Sequence, residues 1–522
     1  MLKKLHGRKL AVCLIGGAMY ALFSAFGWQA EHGGVIWAGG ALLVAALLVW
    51  PIAALLAVLL ERGYTRTLRQ EKTFRAGRAF AFILACYVPM FCVAFPGSFA
   101  YDVPYQLRQV VTGAYSTHHP LLHTLALGGL LQLGRALGDI NLGAALYTAL
   151  QMALLAGCFA LTCGSIARQS GARAAKRAAV FFALYPLNMV MAVNATKDVL
   201  FGGFFALTLA LLNEIQEKPS RGLTMKIAVC GALAVMLRNN MAYAALVWLA
   251  ILTIGLRKGE KSAALAMLLA LAVGLCGNAT LKHATRAESG DMSEMLSWPI
   301  QQLARARLYD EERLTDAEKE AIDELMPGEA WACYDPTISD PVKFEFDTQA
   351  FRADVKKYVG VWLSVGKKCA GTYLDATMAL TYPFFYPYRE YRVSGYYVQM
   401  GMSDAYDAGW CDFDPPESRS LFPRALASLS WRFGAKGAMQ IPVVGWLFNM
   451  GVIVWTMLFF ALREMYWGRW RRFGTALLPV LLWGTFLLGP VMAGRYIYPF
   501  VCALPVLAAR PGRSVKEAER HG

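Results

Sequence analysis

The chain has 522 residues, 57% apolar and 17% charged, with a formal net charge of +15 and a mean hydropathy of +0.39. Soluble domains carry about 25% charged residues, and the apolar residues here gather into blocks long enough for ~20-residue membrane spans. That composition excludes a soluble enzyme, a disordered chain and a nucleic-acid binder.

In chain order the hydropathy predicts spans near residues 11–28, 35–60, 79–95, 141–167, 177–193, 198–214, 225–238, 241–256, 262–279, 438–461, 474–490 and 493–509. The first follows Lys3, Lys4, Arg8 and Lys9 and resembles a secretion signal, but no small-x-small cleavage site follows it, so it reads as a retained anchor. Basic clusters then recur at Arg62–Arg78, Arg168–Arg177, Lys218–Lys226, Arg257–Lys261, Arg463–Arg472 and Arg510–Arg520. All fall on one side of the membrane if there are about twelve transmembrane helices with both termini cytoplasmic, as the excess of Lys and Arg in short inner loops requires. The stretch 121–136 is apolar but short, and counting it as a span would reverse every later loop. It reads as an interfacial or re-entrant helix on the outer side.

The expected fold is thus mainly α and polytopic. Residues 1–279 form a membrane region with a first outer loop of interfacial helices at about 96–140, residues 280–437 a large α-rich extracytoplasmic segment, and residues 438–522 the last spans and a cytoplasmic tail. The outer segment holds 24 of the 36 acidic and 18 of the 51 basic residues, a net −6, leaving +21 on the remainder. The basic charge is therefore a matter of topology and asks for no polyanion. Of the eleven Cys, only Cys333, Cys369 and Cys411 face outward, and the similar WACYDP and WCDFDP contexts make Cys333–Cys411 the preferred disulfide pair. No Cys/His cluster has structural-zinc spacing.

Charged groups beside spans are costly, roughly 2.5–3.5 kcal/mol at mid-span, and so call for a reason. The outer ends of the expected spans collect several. FPGSFAYDVPYQLRQVVTGAYSTHHPLLHTL carries Asp102, Gln106, His118, His119 and His123. NATKDVLF carries Lys197 and Asp198, LRNNMAY carries Arg238, Asn239 and Asn240, and GPVMAGRYIYPF carries Arg495, Tyr496 and Tyr498. One carboxylate, several histidines and three cations suit an anionic ligand at the outer boundary, approached by a group that must lose a proton. Each also has a plain reading: Asp102 before Pro104 as a helix N-cap, His118–His119–Pro120 as the cap of the next helix, Lys197 paired with Asp198 or snorkelling, and the tyrosines as an interfacial belt.

These four segments, with WLSVGKKCAGTYLDATMALTYPFFYP at 362–387 as a weaker fifth, resemble the glycosyltransferase-C superfamily, and uncharacterised bacterial members most. The resemblance implies a polytopic enzyme of the cytoplasmic membrane, with its active site facing outside, that moves a sugar from a polyprenyl-phosphate donor to a cell-envelope glycan, lipid or protein acceptor by a single inverting displacement. Its partners are then that donor, the acceptor and membrane lipids. Asp102 matches the first-loop catalytic carboxylate. Lys197, Arg238 and Arg495 match cations near the lipid phosphate, and Gln106, His118, His119, Asp198, Asn239 and Tyr496 complete the expected donor-binding set. Members often carry paired acids in the first loop, whereas Asp102 stands alone until residue 139. A divalent metal is therefore without its motif, no other cofactor is indicated, and a single-base mechanism is expected. A lipid-linked-glycan transporter or flippase would share the cationic outer sites but needs polar residues through the membrane depth. In a non-catalytic assembly protein Asp102 would be an ordinary cap.

Overall fold

A computed structural model describes residues 5–32, 40–62, 73–100, 102–253, 258–387, 398–402, 415–433 and 441–510. Among them the protein is α-helical, with isolated β-bridges and no strand. The first part of the chain comprises α1 (Arg8–Glu31), α2 (Gly40–Arg62), α3 (Ala76–Ala94), α4 (Val103–Thr112), α5 (Leu121–Ala136), α6 (Ile140–Ser170), α7 (Ala172–Leu184), α8 (Pro186–Ala192), α9 (Lys197–Glu217), α10 (Arg221–Leu237), α11 (Asn240–Thr253) and α12 (Lys258–Thr285). The following segment holds α13 (Ser297–Tyr309), α14 (Asp316–Leu325), α15 (Asp340–Lys343), α16 (Thr348–Ala353), α17 (Val355–Lys368), α18 (Ala370–Thr381) and α19 (Pro423–Phe433). The chain closes with α20 (Met450–Tyr466), α21 (Trp470–Leu487) and α22 (Tyr498–Ala508).

Among the described residues six helices, α1, α2, α3, α6, α9 and α12, are long and apolar enough to cross a membrane, as an α-helical membrane protein requires. The remaining expected spans are shorter, for local reasons. The expected fifth span, 177–193, is broken where Tyr185 adopts an extended conformation (ψ 120°) before Pro186, because the proline ring disfavours helix in the residue ahead of it. The expected tenth span, 438–461, begins only at Met450: the Asn449 side chain caps α20 by accepting from Val452 N, and the preceding residues turn at Pro442 and Gly445. The twelfth is a 3-10 turn, Gly494–Ile497, followed by the 11-residue α22. The short apolar stretch 121–136, expected as an interfacial helix within the first outer loop, forms α5 (Leu121–Ala136), lying along α4 and α6.

The helix α9 is the hub. Of its apolar window 89% is buried, which fits a sequence apolar on every face, and α6, α10, α12, α21 and α22 all pack on it. The segment after α12 has its own core of Ile300, Leu303, Ile322, Leu325 and Val365, but it is not closed on itself. Tyr382, Phe384 and Phe385, just after α18, join the core of the long apolar helices beside α1 and α20. Trp298 Nε1 donates to Leu487 O at 2.6 Å and Ser339 N to Pro490 O at 2.9 Å, fixing this segment to the α21–α22 turn. Cys333 is exposed with a free thiol; Cys411 lies outside the described residues.

The two ends of the bundle differ. One gathers the starts of α1 and α21 with the ends of α2, α9 and α20, and ion pairs such as Lys9–Glu61 (2.7 Å), Arg168–Glu214 (2.5 Å) and Arg472–Glu217 (3.4 Å). The other gathers the end of α3, the start of α9, the α10–α11 break and the α21–α22 turn.

Candidate functional site

The site begins at FPGS, after α3. The Phe95–Pro96 peptide is cis and Gly97 has φ +143°. A Cβ on Gly97 would lie 2.2 Å from the Thr148 hydroxyl oxygen, so only glycine lets the chain pass this close to α6. Ser98 then pairs with the stretch before α9: Ser98 N donates to Val193 O and Ala195 N to Ser98 O, both at 2.8 Å. Phe99 N and the Ser98 hydroxyl donate to Gly401 O at 2.9 and 3.1 Å. This backbone stitching brings Asp102 and Lys197 together although 95 residues separate them in the chain.

Asp102 occupies the N-cap position of α4, yet its side chain makes no capping bond. The carboxylate turns to cations instead. Lys197 Nζ donates to Oδ2 at 2.8 Å, Arg495 Nη1 to Oδ2 at 3.0 Å and Nη2 to Oδ1 at 3.3 Å. His119 Nδ1 is 3.7 Å from Oδ2 and 3.5 Å from Lys197 Nζ. The next residue of α9 serves a second group: Asp198 pairs with Arg238, at the end of α10, accepts from the Thr196 hydroxyl at 3.3 Å and stands 3.9 Å from Arg495 Nε. The Arg238 guanidinium carbon lies 4.4 and 4.5 Å from the ring centres of Phe486 and Tyr496, and that of Arg495 lies 5.3 Å from Tyr496, distances at which an aromatic face attracts a cation.

Burial tends to raise the Asp102 pKa, but Arg495, Lys197 and His119 outweigh it and hold the carboxyl well below the usual carboxylate range. Burial, with Lys197 adding to it, pushes His119 down to about 3 against the pull of Asp102. His119 is therefore neutral near pH 7 and adds no positive charge to the cluster. Three cations, two carboxylates and a neutral imidazole leave the cluster with a net charge of +1. The Asp102 side chain keeps 22% exposure, Lys197 15% and Arg495 11%, whereas Asp198 has none.

Behind the cluster runs a buried polar chain. Gln106 Nε2 donates to Thr124 Oγ1 at 3.0 Å and to His123 Nδ1 at 2.9 Å, and His123 Nε2 lies 2.8 Å from Tyr147 Oη. The Tyr147 hydroxyl donates to Gln151 Oε1 at 3.0 Å, and Gln151 Nε2 to Asn194 O at 2.8 Å and Ala192 O at 3.0 Å. The donors assign His123 the tautomer protonated on Nε2, in keeping with burial pushing its pKa down to about 3. The chain links α4, α5, α6 and the turn before α9, and so fixes the frame on which Asp102 and Lys197 sit.

Of the residues expected at the site, Asp102, Lys197, Arg495, His119, Asp198, Arg238 and Tyr496 come together. Gln106 is spent on the buried chain, and Asp198 is the counterion of Arg238. His118 is exposed, edge-on to His119 at 4.6 Å. Asn239 is exposed, with no side-chain bond to the cluster among the described residues. Sequence reading passed over Tyr147 and Gln151, although polar groups in an otherwise apolar helix were the available signal, and over Phe486, whose role as a wall for Arg238 has none. Among the described residues no group of three His, Cys, Asp or Glu side chains is placed to hold a metal.

Residues 111–521 match DUF6020, a family of unknown function, and the chain belongs to that family. No curated protein and no solved structure matches it.

Proposed function

We propose that this DUF6020 protein is an inverting glycosyltransferase of the glycosyltransferase-C type, taking its sugar from a polyprenyl-phosphate donor. The observation that carries the reading is the contact of Asp102 with both Lys197 and Arg495, at 2.8 and 3.0 Å, from segments with no common motif. A catalytic carboxylate and the cations for a departing phosphate have to meet in this way. The cluster's net +1 suits the single charge of a lipid-phosphate-sugar diester.

The ion pairs suggest an order of events. An acid held by two cations is ionised at pH 7 but is a poor base. A donor phosphodiester is a competing anion: as it takes the N–H groups of Arg495 and Lys197, through charge-assisted hydrogen bonds, Asp102 loses partners and gains basicity. It then accepts the proton of an acceptor hydroxyl. The hydroxyl oxygen bonds to the anomeric carbon while the bond from that carbon to the phosphate oxygen breaks, with its electron pair leaving on the lipid phosphate. The added negative charge falls where the cations already stand. Direct displacement inverts the anomeric configuration. A divalent ion is not required. The residues offer it little, since Arg495 reaches both Asp102 and Asp198 and both carboxylates already have cationic partners.

The companion proposal on topology is twelve crossings, both termini cytoplasmic, in the plasma membrane, with the Asp102 end outside. Its support is the segregation of the Arg- and Lys-rich turns at the opposite end. Vesicles containing the full-length protein and labelled polyprenyl-phosphate sugars test the enzymatic reading. Asp102→Asn should lower transfer by about 10²–10⁴-fold with expression and donor binding retained. Transfer at the wild-type rate removes Asp102 from the mechanism.

A further inference from the structure

The loop that carries Asp102 is held on both flanks, and one flank depends on a single hydroxyl. Ser98 is wholly buried. Its backbone N–H and C=O both serve the stretch before α9, through Val193 O and Ala195 N, so neither is left for the opposite side. On that side the chain Val398–Met402, from the segment after α12, runs parallel to the loop, with Met402 beside Phe99. The Ser98 hydroxyl bridges to it. It donates to Gly401 O at 3.1 Å and accepts from Gly401 N at 2.9 Å, while Phe99 N donates to the same carbonyl at 2.9 Å. Gly401 has φ +102°, a conformation that glycine holds without strain, and so turns both its backbone groups to one side chain. The same short chain is anchored at its other residues. Val398 and Met400 are buried in the core of the long apolar helices, Val398 N donates to Phe433 O at 3.0 Å, and Met402 packs on the cluster of Phe99, Val103 and Leu107, beneath the first turn of α4.

We infer that Ser98 is a positioning residue: its hydroxyl locks the Val398–Met402 chain against the loop and so keeps the Asp102 carboxylate on Lys197 and Arg495. Asp102 lies four residues beyond Ser98, and Lys197 two beyond Ala195, so acid and ammonium leave the two sides of one seam. That seam fixes one edge of the loop, and the third chain closes the other. The far end of the loop is held by the same segment: Thr117 N donates to Glu288 O at 2.8 Å and Glu288 N to Tyr115 O at 2.9 Å, directly ahead of His118 and His119. An acid 2.8 and 3.0 Å from its cations loses both bonds on a shift of about 1 Å, and a displacement of that size costs about 10²-fold in rate. The kinetic consequence rests on the glycosyl-transfer reading; the geometric one does not.

The experiment compares full-length wild-type protein, Ser98→Ala and Asp102→Asn in nanodiscs. A brief pulse of acetic anhydride, read by peptide mass spectrometry, probes Lys197, whose side chain is 15% exposed. Lys343, paired with Glu294 and Asp340, is the internal control. Ser98→Ala should raise Lys197 labelling severalfold, towards the Asp102→Asn rate, with Lys343 unchanged. Hydrogen exchange of the Gly401 amide should quicken roughly 3–10-fold, the worth of one hydrogen bond, while the Ala195 amide across the seam exchanges as in wild type. With a labelled polyprenyl-phosphate sugar as donor, Ser98→Ala should lose about 10²-fold in kcat with the donor KM little changed, because Arg238 and Arg495 are untouched. Wild-type labelling of Lys197 in Ser98→Ala overturns the proposal, and so does a rise shared by Lys343, which marks general loosening. An unchanged Gly401 amide overturns it too, since the clasp is then not made. Raised Lys197 labelling with wild-type kcat upholds the positioning role and refutes Asp102 as the base. A wild-type protein that transfers no sugar refutes the glycosyl-transfer reading, and the labelling still decides this one.

Discussion

The Arg238–Asp198 pair offers the sharpest test of how the site is held. The Asp198 side chain is wholly buried and that of Arg238 is 9% exposed. Arg495 Nε adds a second cation 3.9 Å from Asp198 Oδ2. At such a separation two unit charges attract by about 4 kcal/mol at an effective dielectric constant of 20. Asp198→Asn keeps the side-chain shape but strands two guanidinium groups near each other, and removal of one partner from a buried pair costs about 3–5 kcal/mol. Arg238→Met should cost less, roughly 2–3 kcal/mol, because Arg495 remains as counterion to Asp198. The double variant leaves neither charge of the pair, so its loss should fall short of the summed singles by about 2 kcal/mol. Denaturant titration in detergent micelles, followed by intrinsic tryptophan fluorescence, measures all four corners of the cycle. Losses that add within about 0.5 kcal/mol refute the coupling, and with it the view of Asp198 as a counterion instead of a ligand.

Arg495→Ala and Arg238→Ala should each weaken donor binding about 10–100-fold, the equivalent of a charged hydrogen bond of about 1.5–3 kcal/mol; unchanged donor affinity in both variants means that the phosphate binds elsewhere. His119 gives a pH prediction. Folded, it takes up a proton only near pH 3, whereas an unfolded histidine does so at about 6.5. The unfolded chain therefore binds more protons in that window, and stability falls as pH falls through it, by roughly 2 kcal/mol at pH 5 from this group. His119→Gln should flatten the stability–pH curve between pH 7 and 5 by that amount, and an unchanged slope contradicts a neutral buried His119. Gly97→Ala should destabilise by about 2 kcal/mol or more, through its backbone strain and the clash with Thr148, and lower transfer by displacing Asp102. Wild-type stability and transfer in that variant mean that the loop has slack to absorb the methyl group.

Much of the helical framework was legible because hydropathy is a local property. The starts and ends of helices were less so. The shortened α20 and α22, and the α7–α8 break, depend on single prolines and caps whose effect hydrophobicity windows average away. The site divides in the same manner. Ionisable groups at the edges of apolar blocks announce themselves, because burying them is costly, and this picked out Asp102, Lys197, Arg238 and Arg495. Which acid answers which base was not readable. Lys197 and Asp198 are neighbours in sequence and look like partners, yet each bonds across 40 residues or more. Gln106 looked like a ligand residue for its position in a polar loop, and only the fold reveals that α5 claims it through His123 and Thr124. Pairings of such long separation leave no periodic mark in a single sequence.

The first turn of α9 has a mechanical consequence. Consecutive helical residues point about 100° apart, so Lys197 and Asp198 hold different neighbours with a single rigid post. A twist of that post large enough to free the ammonium from the loop acid would drag the adjacent carboxylate off its arginine. Opening one half of the pocket thus loosens the other, and the four chain segments meeting there would have to yield together.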